Sequence, residues 1–511
     1  MALALADVVA AERRKRPLVL TAAFPFVPAE LTLANLASTY LPADVCRRIL
    51  TMLGRRCALV CGTDVHSIQV SCDGQTRLGA EEACDRSHAA YLDFFDRYGI
   101  EFDAYLKTDD PDHRTLTRVA WSRLSEAGLL AELPVEVLVC DDCGAAPPPR
   151  LASADDEPGR LRCPWCGGAA LRRESRSHLH IVLERARGII EGAPRTLAGG
   201  NRKWIDALLT RPLDPWCATR DNRVGLSFPE LGEGRSLYLW FDSLIGYGTL
   251  RARLAARDPV FADAELLHFF GKNIVFHHAI LWPLILRLGL DGDPSRIRSS
   301  VRGFLLAEPP SLDTWSIAPD LAADYARLYG VHAAFDWPRD FTLESALAET
   351  FVDRIVIGKV AVHCRRLALA CAAGDTRTAE PGRLGELAHL VAPGAAELAA
   401  AASGGSARHS LLLTLDMVKA LGRHFGSRTD LSSSAEVRGE AAVGLAYLLT
   451  LMAPFAPRIV DEFNIFDGWF PGSIMNCEST VQHPLRDRSL TWPRIGVGAT
   501  SDNSMPEAVM S

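Results

Sequence analysis

Leu18-Val19-Leu20-Thr21-Ala22-Ala23-Phe24-Pro25-Phe26-Val27-Pro28 and Cys57-Ala58-Leu59-Val60-Cys61-Gly62-Thr63-Asp64-Val65-His66 bracket a helical pattern that runs through Val45 to Leu53. Short apolar runs bounded by Pro and Gly read as buried strands, and the period between them is helical, so the stretch is one βαβ unit. Ligands in such folds sit past the carboxyl ends of the strands, where the helices begin. Phe24, Phe26, Thr32, Asn35, Asp64 and His66 are therefore expected to face one crevice.

Composition sets the limits around this unit. A chain of 511 residues exceeds a single core, and about two to four domains are expected. A hydrophobic content of 48% with 23% charged residues is ordinary for a globular chain. The formal charge of −7 argues against a broadly basic nucleic-acid surface. No apolar run reaches the ~18 residues of a membrane span, so no membrane partner is expected. Met1 to Arg16 is Ala-rich and then basic, the reverse of a secretory signal, and reads as a short appended helix. Most of the 13 cysteines lie singly on apolar segments, the pattern of buried thiols in a reducing cytoplasm. A cytoplasmic monomer is the expectation.

Four cysteines are not scattered. Cys140-x-x-Cys143-Gly144 and Cys163-x-x-Cys166-Gly167 repeat one short motif with 19 residues between the pairs. Two thiolates on one tight turn share a tetrahedral ion and a second such turn closes the shell, so the spacing reads as a structural zinc ribbon. The alternatives are four reduced thiols or a redox pair. Ser177 to Leu183 alternates as a strand, and its His178 and His180 are expected on an ordinary polar face, since four sulfurs already complete a zinc shell.

The order of these motifs resembles the class I aminoacyl-tRNA synthetases, and the methionyl-tRNA synthetase family most closely. That family reads A-L-P-Y, H-x-G-H, Y-L-P-A-D and G-(S/T)-D-x-H. This chain has Ala23-Phe24-Pro25-Phe26, Thr32-Leu33-Ala34-Asn35, Tyr40-Leu41-Pro42-Ala43-Asp44 and Gly62-Thr63-Asp64-Val65-His66. Further on, Leu237-Tyr238-Leu239-Trp240-Phe241-Asp242-Ser243-Leu244-Ile245-Gly246-Tyr247 resembles Y-V-W-F-D-A-P-I-G-Y, and His268 to Pro283 resembles H-F-I-G-K-D-I-x-x-F-H-x-x-x-W-P. A zinc knuckle inserted between the halves of the nucleotide fold sits at the matching place. The resemblance implies an α/β fold: a Rossmann-type nucleotide-binding domain with an inserted zinc-knuckle subdomain, followed by an α-helical bundle. Its expected divisions are an extension (1–16), the first half of the catalytic domain (17–124), the insertion (125–185), the second half (186–300), the K-M-S-K-S and stem-contact region (301–342), an anticodon-binding-like bundle (343–470) and a poorly ordered tail (471–511).

The resemblance also implies roles. Asp64 stands where the family recognises the substrate ammonium; Phe24, Phe26, Trp240, Tyr247, His277 and His278 stand around the amino acid; Ala34, Gly271 and Asn273 stand at the nucleotide; Thr32 and Asn35 replace the two catalytic histidines of H-x-G-H. Read from the residues alone, Trp240 and Tyr247 also suit a plain core. There are departures. Phe26 lacks the family's tyrosine hydroxyl, Ser243-Leu244 replaces Ala-Pro, His277 replaces a phenylalanine and Asn273 an aspartate. Ala34 adds a methyl group where glycine lets adenine approach the backbone. The segment Leu306 to Ile317, where K-M-S-K-S belongs, has no Lys or Arg but contains Glu308, Asp313 and Pro309-Pro310, the wrong sign and stiffness for a triphosphate. Arg302 is the nearest cation by position. Arg423 to Ser434 contains no tryptophan, and anticodon readers need an exposed aromatic to stack a base. The expectation is a diverged paralogue that handles an amino acid by ligase-type chemistry in specialised metabolism, with a separate partner enzyme, structural zinc, ATP with magnesium implied by the family but opposed by the loop, and weak tRNA contact. An amino-acid-binding pseudoenzyme or scaffold is the alternative, and a methionine–tRNA ligase with atypical ATP motifs the third.

Overall fold

The computed structural model describes residues 4–483 apart from 68–76, 145, 148–152, 155–160, 164–165, 169, 193–198, 222–224, 307–318, 343–349, 377–379 and 468. Residues 307–318, which hold Glu308, Pro309, Pro310 and Asp313 of the segment expected to replace K-M-S-K-S, lie outside the described residues, as do 484–511 of the tail.

Helix α1 (Leu5–Arg14) precedes β1 (Leu18–Ala22), whose five residues are all buried. Helical residues 33–40 lead into α2 (Leu41–Met52). Then come β2 (Cys57–Thr63), α3 (Arg77–Arg97), β3 (Ala104–Lys107) and α4 (Pro111–Glu126). Two long antiparallel strands follow, β4 (Leu130–Cys140) and β5 (Leu171–Ile181), paired from Leu130↔Ile181 to Cys140↔Leu171, and the short strand Trp216–Cys217 joins the β5 edge. After α5 (Leu239–Arg257), β6 (Glu265–Gly271) and β7 (Ile297–Arg302) return to the first sheet. That sheet is parallel throughout, in the order β7-β6-β1-β2-β3. The chain reverses its direction of growth at β1, so a crevice opens between the carboxyl ends of β1 and β6, the place where doubly wound sheets bind ligands.

Helices α6 (Pro319–Ala333), α7 (Val362–Ala372), α8 (Pro381–Ser403), α9 (Ala407–Gly426) and α10 (Ala435–Met452) form the second half. One buried ion pair ties the halves together. Asp44 of α2 and Arg327 of α6 are both fully buried, 2.6 Å apart. Arg48 also grips Asp44 at 2.9 Å. The remaining Arg327 donors reach the carbonyls of Pro454 (2.8 Å) and Tyr98 (2.9 Å). Burial alone would raise the Asp44 carboxyl; Arg48, then Arg327 and Arg47, outweigh it and hold it below the ordinary carboxylate range.

Three sequence expectations are corrected here. Residues 471–483 are not loose: Ile474–Gln482 forms a 3-10 helix packed on α10, with Ile474 and Cys477 buried. His178 and His180 are buried rather than on a polar face. They pair with Leu133 and Ala131, at least seven residues and so about 23 Å along the ladder from Cys140. Arg302 is buried, donating to the Phe335 carbonyl (2.8 Å), to Asp336 (2.7 Å) and to the Gly405 carbonyl, and so is committed to structure.

Replacing Arg327 with Ala leaves Asp44 buried and short of its principal cross-domain partner, and removing one member of a buried pair costs about 3–5 kcal/mol. A drop of that size in the urea unfolding free energy is expected, and Arg327→Met should be less harmful than Asp44→Ala.

Candidate active site

The loop after β1 is pinned to the end of β2. The Asp64 amide donates to the Pro25 carbonyl at 2.8 Å and the Val27 amide to the Asp64 carbonyl at 3.0 Å, so Phe26 and Asp64 form a bridge. Phe24 points inward and meets Tyr247 edge-on, with centroids 5.2 Å apart. A Cβ on Gly62 or Gly246 would fall 2.7 or 2.5 Å from the Phe24 ring, so both glycines make room for it.

Asp64 is buried beside a second carboxylate, Asp242. Asp242 is bonded by His66 Nδ1 on one oxygen and by His113 Nε2, at 2.8 Å, on the other; His113 Nδ1 continues to Thr249 Oγ1 at 2.9 Å. Burial opposes its charge, but His66 and His113 outweigh burial and hold Asp242 well below the carboxylate range. Burial would lower His66, but Asp242 raises it above the ordinary imidazole value. Asp64 goes the other way. Burial, and then the neighbouring Asp242 charge, push it up to about 6, against the Ser243 hydroxyl and His66. Asp64, His66 and Asp242 place one ligand atom each within 4.8 Å of one another, a geometry that gathers positive charge.

Ser243 belongs to this group, and nothing in the sequence marked it as a contact. Its hydroxyl lies on Asp64 Oδ2 and, at 2.9 Å, on the Leu239 carbonyl. One hydroxyl hydrogen cannot serve both acceptors. With Asp64 ionised, the hydrogen goes to the carboxylate; with Asp64 protonated, the acid donates to Ser243 Oγ and the serine hydrogen turns to Leu239.

The aromatic wall has fixed tautomers. His278 Nδ1 faces the Ile274 carbonyl at 3.1 Å and so carries the hydrogen; its Nε2 accepts the Tyr247 hydroxyl at 3.0 Å. Burial pushes His278 down to about 3, so it is neutral, and its ring stacks on Phe270 at 4.0 Å. His268 accepts the Trp282 indole N–H on Nε2 at 2.9 Å and therefore donates from Nδ1 to Thr21. His277 stacks on Trp240 with centroids 4.6 Å apart. Burial lowers His277 to about 4, and its Nδ1 is buried with no hydrogen-bond partner among the described residues.

On the other side of the crevice, the helical run starts at Thr32. Asn35 Oδ1 accepts from both the Thr32 amide and its hydroxyl, each at 3.0 Å. A backbone N–H can only donate, so the amide oxygen is the atom turned inward and the Asn35 NH2 group keeps its donors. Ala34 lies between them in this first turn. Beyond β6, a Cβ on Gly271 would fall 2.8 Å from Asn273 Oδ1. Asn273 is exposed, whereas Lys272 is clamped by both Asp340 oxygens, at 2.6 and 2.8 Å. The structure thus brings Phe24, Phe26, Asp64, Tyr247 and His278 together and pairs Trp240 with His277, while Thr32, Ala34, Asn35, Gly271 and Asn273 stand beyond the carboxyl ends of β1 and β6.

The four cysteines form a separate centre at the tip of the β4–β5 ladder. Their sulfurs lie within 4.8 Å of one another, with Cys140–Cys166 at 3.5 Å and Cys143–Cys163 at 3.8 Å. A disulfide needs about 2.05 Å, whereas a ZnS4 tetrahedron with 2.3 Å bonds has edges of about 3.8 Å. Gly144 and Gly167 both take left-handed φ, near +70°, and return N–H bonds to the Cys140 and Cys163 carbonyls, so the two turns are equivalent. The donor set fits zinc. In the bundle, Leu431 is buried, and Arg428 pairs with the exposed Asp430 and with the buried Glu440.

A Rossmann-type sheet with an inserted four-cysteine knuckle and an appended helical bundle defines a class I aminoacyl-tRNA synthetase architecture. The family model described as tRNA synthetases class I (M) matches residues 18–184 and 162–308, and the chain belongs to that family. The methionine–tRNA ligase of Methanosarcina mazei is 28% identical over 374 residues, covering 63% of this chain and 51% of that protein. That of Archaeoglobus fulgidus is 28% identical over 360 residues, covering 61% and 53%. The chain thus spans about half the length of the curated relatives it matches. A solved structure of Mycobacterium tuberculosis methionyl-tRNA synthetase with methionyl-adenylate superposes with a TM-score of 0.73 at 17% identity, over 94% of this chain and all of that one. At that identity the likeness is one of fold. Among the described residues no helix is long and apolar enough to cross a membrane.

The Asp64 carboxyl should titrate with a midpoint near 6, read by carboxyl carbon NMR. Ser243→Ala should raise that midpoint, because the hydroxyl bond favours the ionised form; a midpoint near the ordinary aspartate value would contradict this geometry.

Proposed function

We propose that this chain is a diverged methionyl-tRNA synthetase-like ligase that binds a free amino acid and activates its carboxyl group, rather than charging methionine tRNA. The observation that carries the reading is the buried Asp64 carboxylate beside the Phe24–Tyr247–His278 group, with Trp240 stacked on His277. Asp64 takes the substrate ammonium, and Phe24, Phe26, Trp240 and Tyr247 bury its side chain. The unpartnered His277 Nδ1 favours a side chain that carries a hydrogen-bonding group, since a thioether would leave that atom unpaired. In the chemical step the substrate carboxylate attacks the α-phosphorus of ATP, forming the aminoacyl-adenylate and releasing magnesium-bound pyrophosphate. The Asn35 NH2 group donates to the phosphates in place of the family's histidines, oriented by the Thr32 amide and hydroxyl that hold its amide oxygen, and Ala34, Gly271 and Asn273 border the nucleotide. A ligase that acts in specialised metabolism hands the activated acyl group to a partner enzyme's acceptor.

The absence of Lys and Arg between Leu306 and Ile317 favours a second reading, an amino-acid-binding pseudoenzyme or scaffold. Donors aimed at developing charge are worth roughly 3–4 kcal/mol each, so slow exchange is expected even in an active protein. The names of the curated relatives keep a third, a methionine–tRNA ligase with atypical ATP motifs.

ATP–pyrophosphate exchange over standard and N-hydroxylated amino acids separates these. Exchange with one amino acid other than methionine is the expected result. Its acid limb should lie near pH 6, because Asp64 pairs with an ammonium as a carboxylate and loses that charge as pH falls through its pKa of about 6. No exchange, with thermal stabilisation by an amino acid and none by ATP, would select the pseudoenzyme. Charging of methionine tRNA would select the third reading.

Cys140, Cys143, Cys163 and Cys166 hold one structural zinc ion in this proposal. Elemental analysis should find one zinc per chain, and Cys140→Ser should lower it and unfold the tip while leaving the sheet's far-UV signal largely intact. Zinc retained in that variant would overturn the assignment.

A further inference from the structure

A cavity of about 680 Å3 lies between α6, residues 335–342 and the helical residues from 350 onward. That volume holds a small organic molecule. None of its lining residues belongs to the Asp64–His278 group. One wall is aromatic: His332 stacks on Phe351 with centroids 3.7 Å apart, and Phe335 lies under two guanidiniums, Arg339 at 4.7 Å and Arg408 at 5.1 Å. Two more cations, Arg354 and Lys359, complete the lining. The one carboxylate in the lining, Asp340, is already taken by Lys272 and by the Phe304 amide. No carboxylate pairs with Arg339, Arg354, Lys359 or Arg408 among the described residues. His332 Nδ1 is buried without a partner there as well.

Four cations that no described carboxylate pairs with line one concave space, Arg408 being held by its Nε bond to the His332 carbonyl at 2.7 Å, and such a lining attracts an anion. Guanidiniums over a ring and an imidazole stacked on another also favour a flat partner. We propose that this cavity is a binding site for a small aromatic anion, a planar ring bearing a phosphate or carboxylate group: the ring lies against Phe335, Phe351 and His332, and Arg339, Arg354, Lys359 and Arg408 meet the oxyanion. The site is independent of the amino-acid reading above and survives its failure.

The test uses the full chain and 1-naphthyl phosphate, followed by its own fluorescence and by calorimetry, with inorganic phosphate and 1-naphthol as controls. Saturable one-to-one binding is expected, tighter than either control. Arg354→Glu and Lys359→Glu, both at side chains in contact with solvent, should each weaken it by roughly tenfold or more, the loss typical of a charged hydrogen-bonding partner. Asp64→Asn should not change it, which separates this site from the amino-acid site. No saturable binding, equal affinity for inorganic phosphate, or affinity unaltered in both charge-reversed variants with native far-UV spectra would each overturn the proposal.

Discussion

The buried Asp44–Arg327 contact decides how the two halves of the molecule meet. Both groups are fully buried, where an unpaired charge is intolerable, so α6 can dock on α2 only in the register that brings them together. Such a pair adds little stability over an apolar substitute; what it contributes is a penalty on every other register. The consequence reaches the crevice, because α2 continues the helical run that begins at Thr32 and Asn35. Fixing Asp44 against α6 also fixes Asn35, earlier on the same helical run, where its NH2 group stands beyond the ends of β1 and β6. The Arg327 bond to Pro454 carries the same constraint into the bundle, and its bond to Tyr98 adds a second tie to the first half.

Inside the crevice the governing fact is that two buried carboxylates have been made unlike. Asp242 has its histidines on both oxygens and stays ionised. Asp64 has an amide and a hydroxyl and is pushed up to about 6 by burial and by Asp242. A neighbour with permanent charge leaves Asp64 poised, so an arriving cation supplies the compensation that its own environment withholds. Ser243 is tuned to both states, because its single hydrogen has a second acceptor in Leu239 when the carboxyl is protonated.

The sheet, the knuckle and the helical bundle were legible because each has a local signature: apolar runs ending in Gly or Pro, paired C-x-x-C-G turns, and helical apolar spacing. The placement of Phe24 against Tyr247 was legible only through the order of motifs, since those residues lie on separate elements. Ser243, His113 and His268 escaped because their roles are long-range hydrogen bonds; a serine on an apolar helix and a histidine on an amphipathic one carry no periodic mark. Residues 471–483 were misjudged for the reverse reason. Their composition is that of a loose tail, but Ile474 and Cys477 meet a complementary surface on α10, and packing overrode composition. Arg302 shows the hazard of reading position alone: its carbonyl and Asp336 partners come from segments more than 30 residues away.

The distribution of positive charge follows one rule across the molecule. Cations near the ends of the parallel strands are neutralised internally: Lys272 by Asp340, Arg302 by Asp336, Arg55 and Arg298 by Glu265. In the bundle, Glu440 gathers Arg383, His424 and Arg428. Around the Phe335–Phe351 cavity four cations have no carboxylate partner among the described residues. Arg408 is bonded there to the His332 carbonyl at 2.7 Å, and Arg339 and Arg354 are exposed, so the positive charge at the cavity is carried largely by solvent-facing side chains. In the crevice, the Asn35 NH2 group is a neutral donor, oriented by the two Thr32 bonds to its amide oxygen. Neutral donors orient a phosphate but stabilise its charge less than cations do, which is the physical reason the proposed ligase reading carries slow adenylation with it.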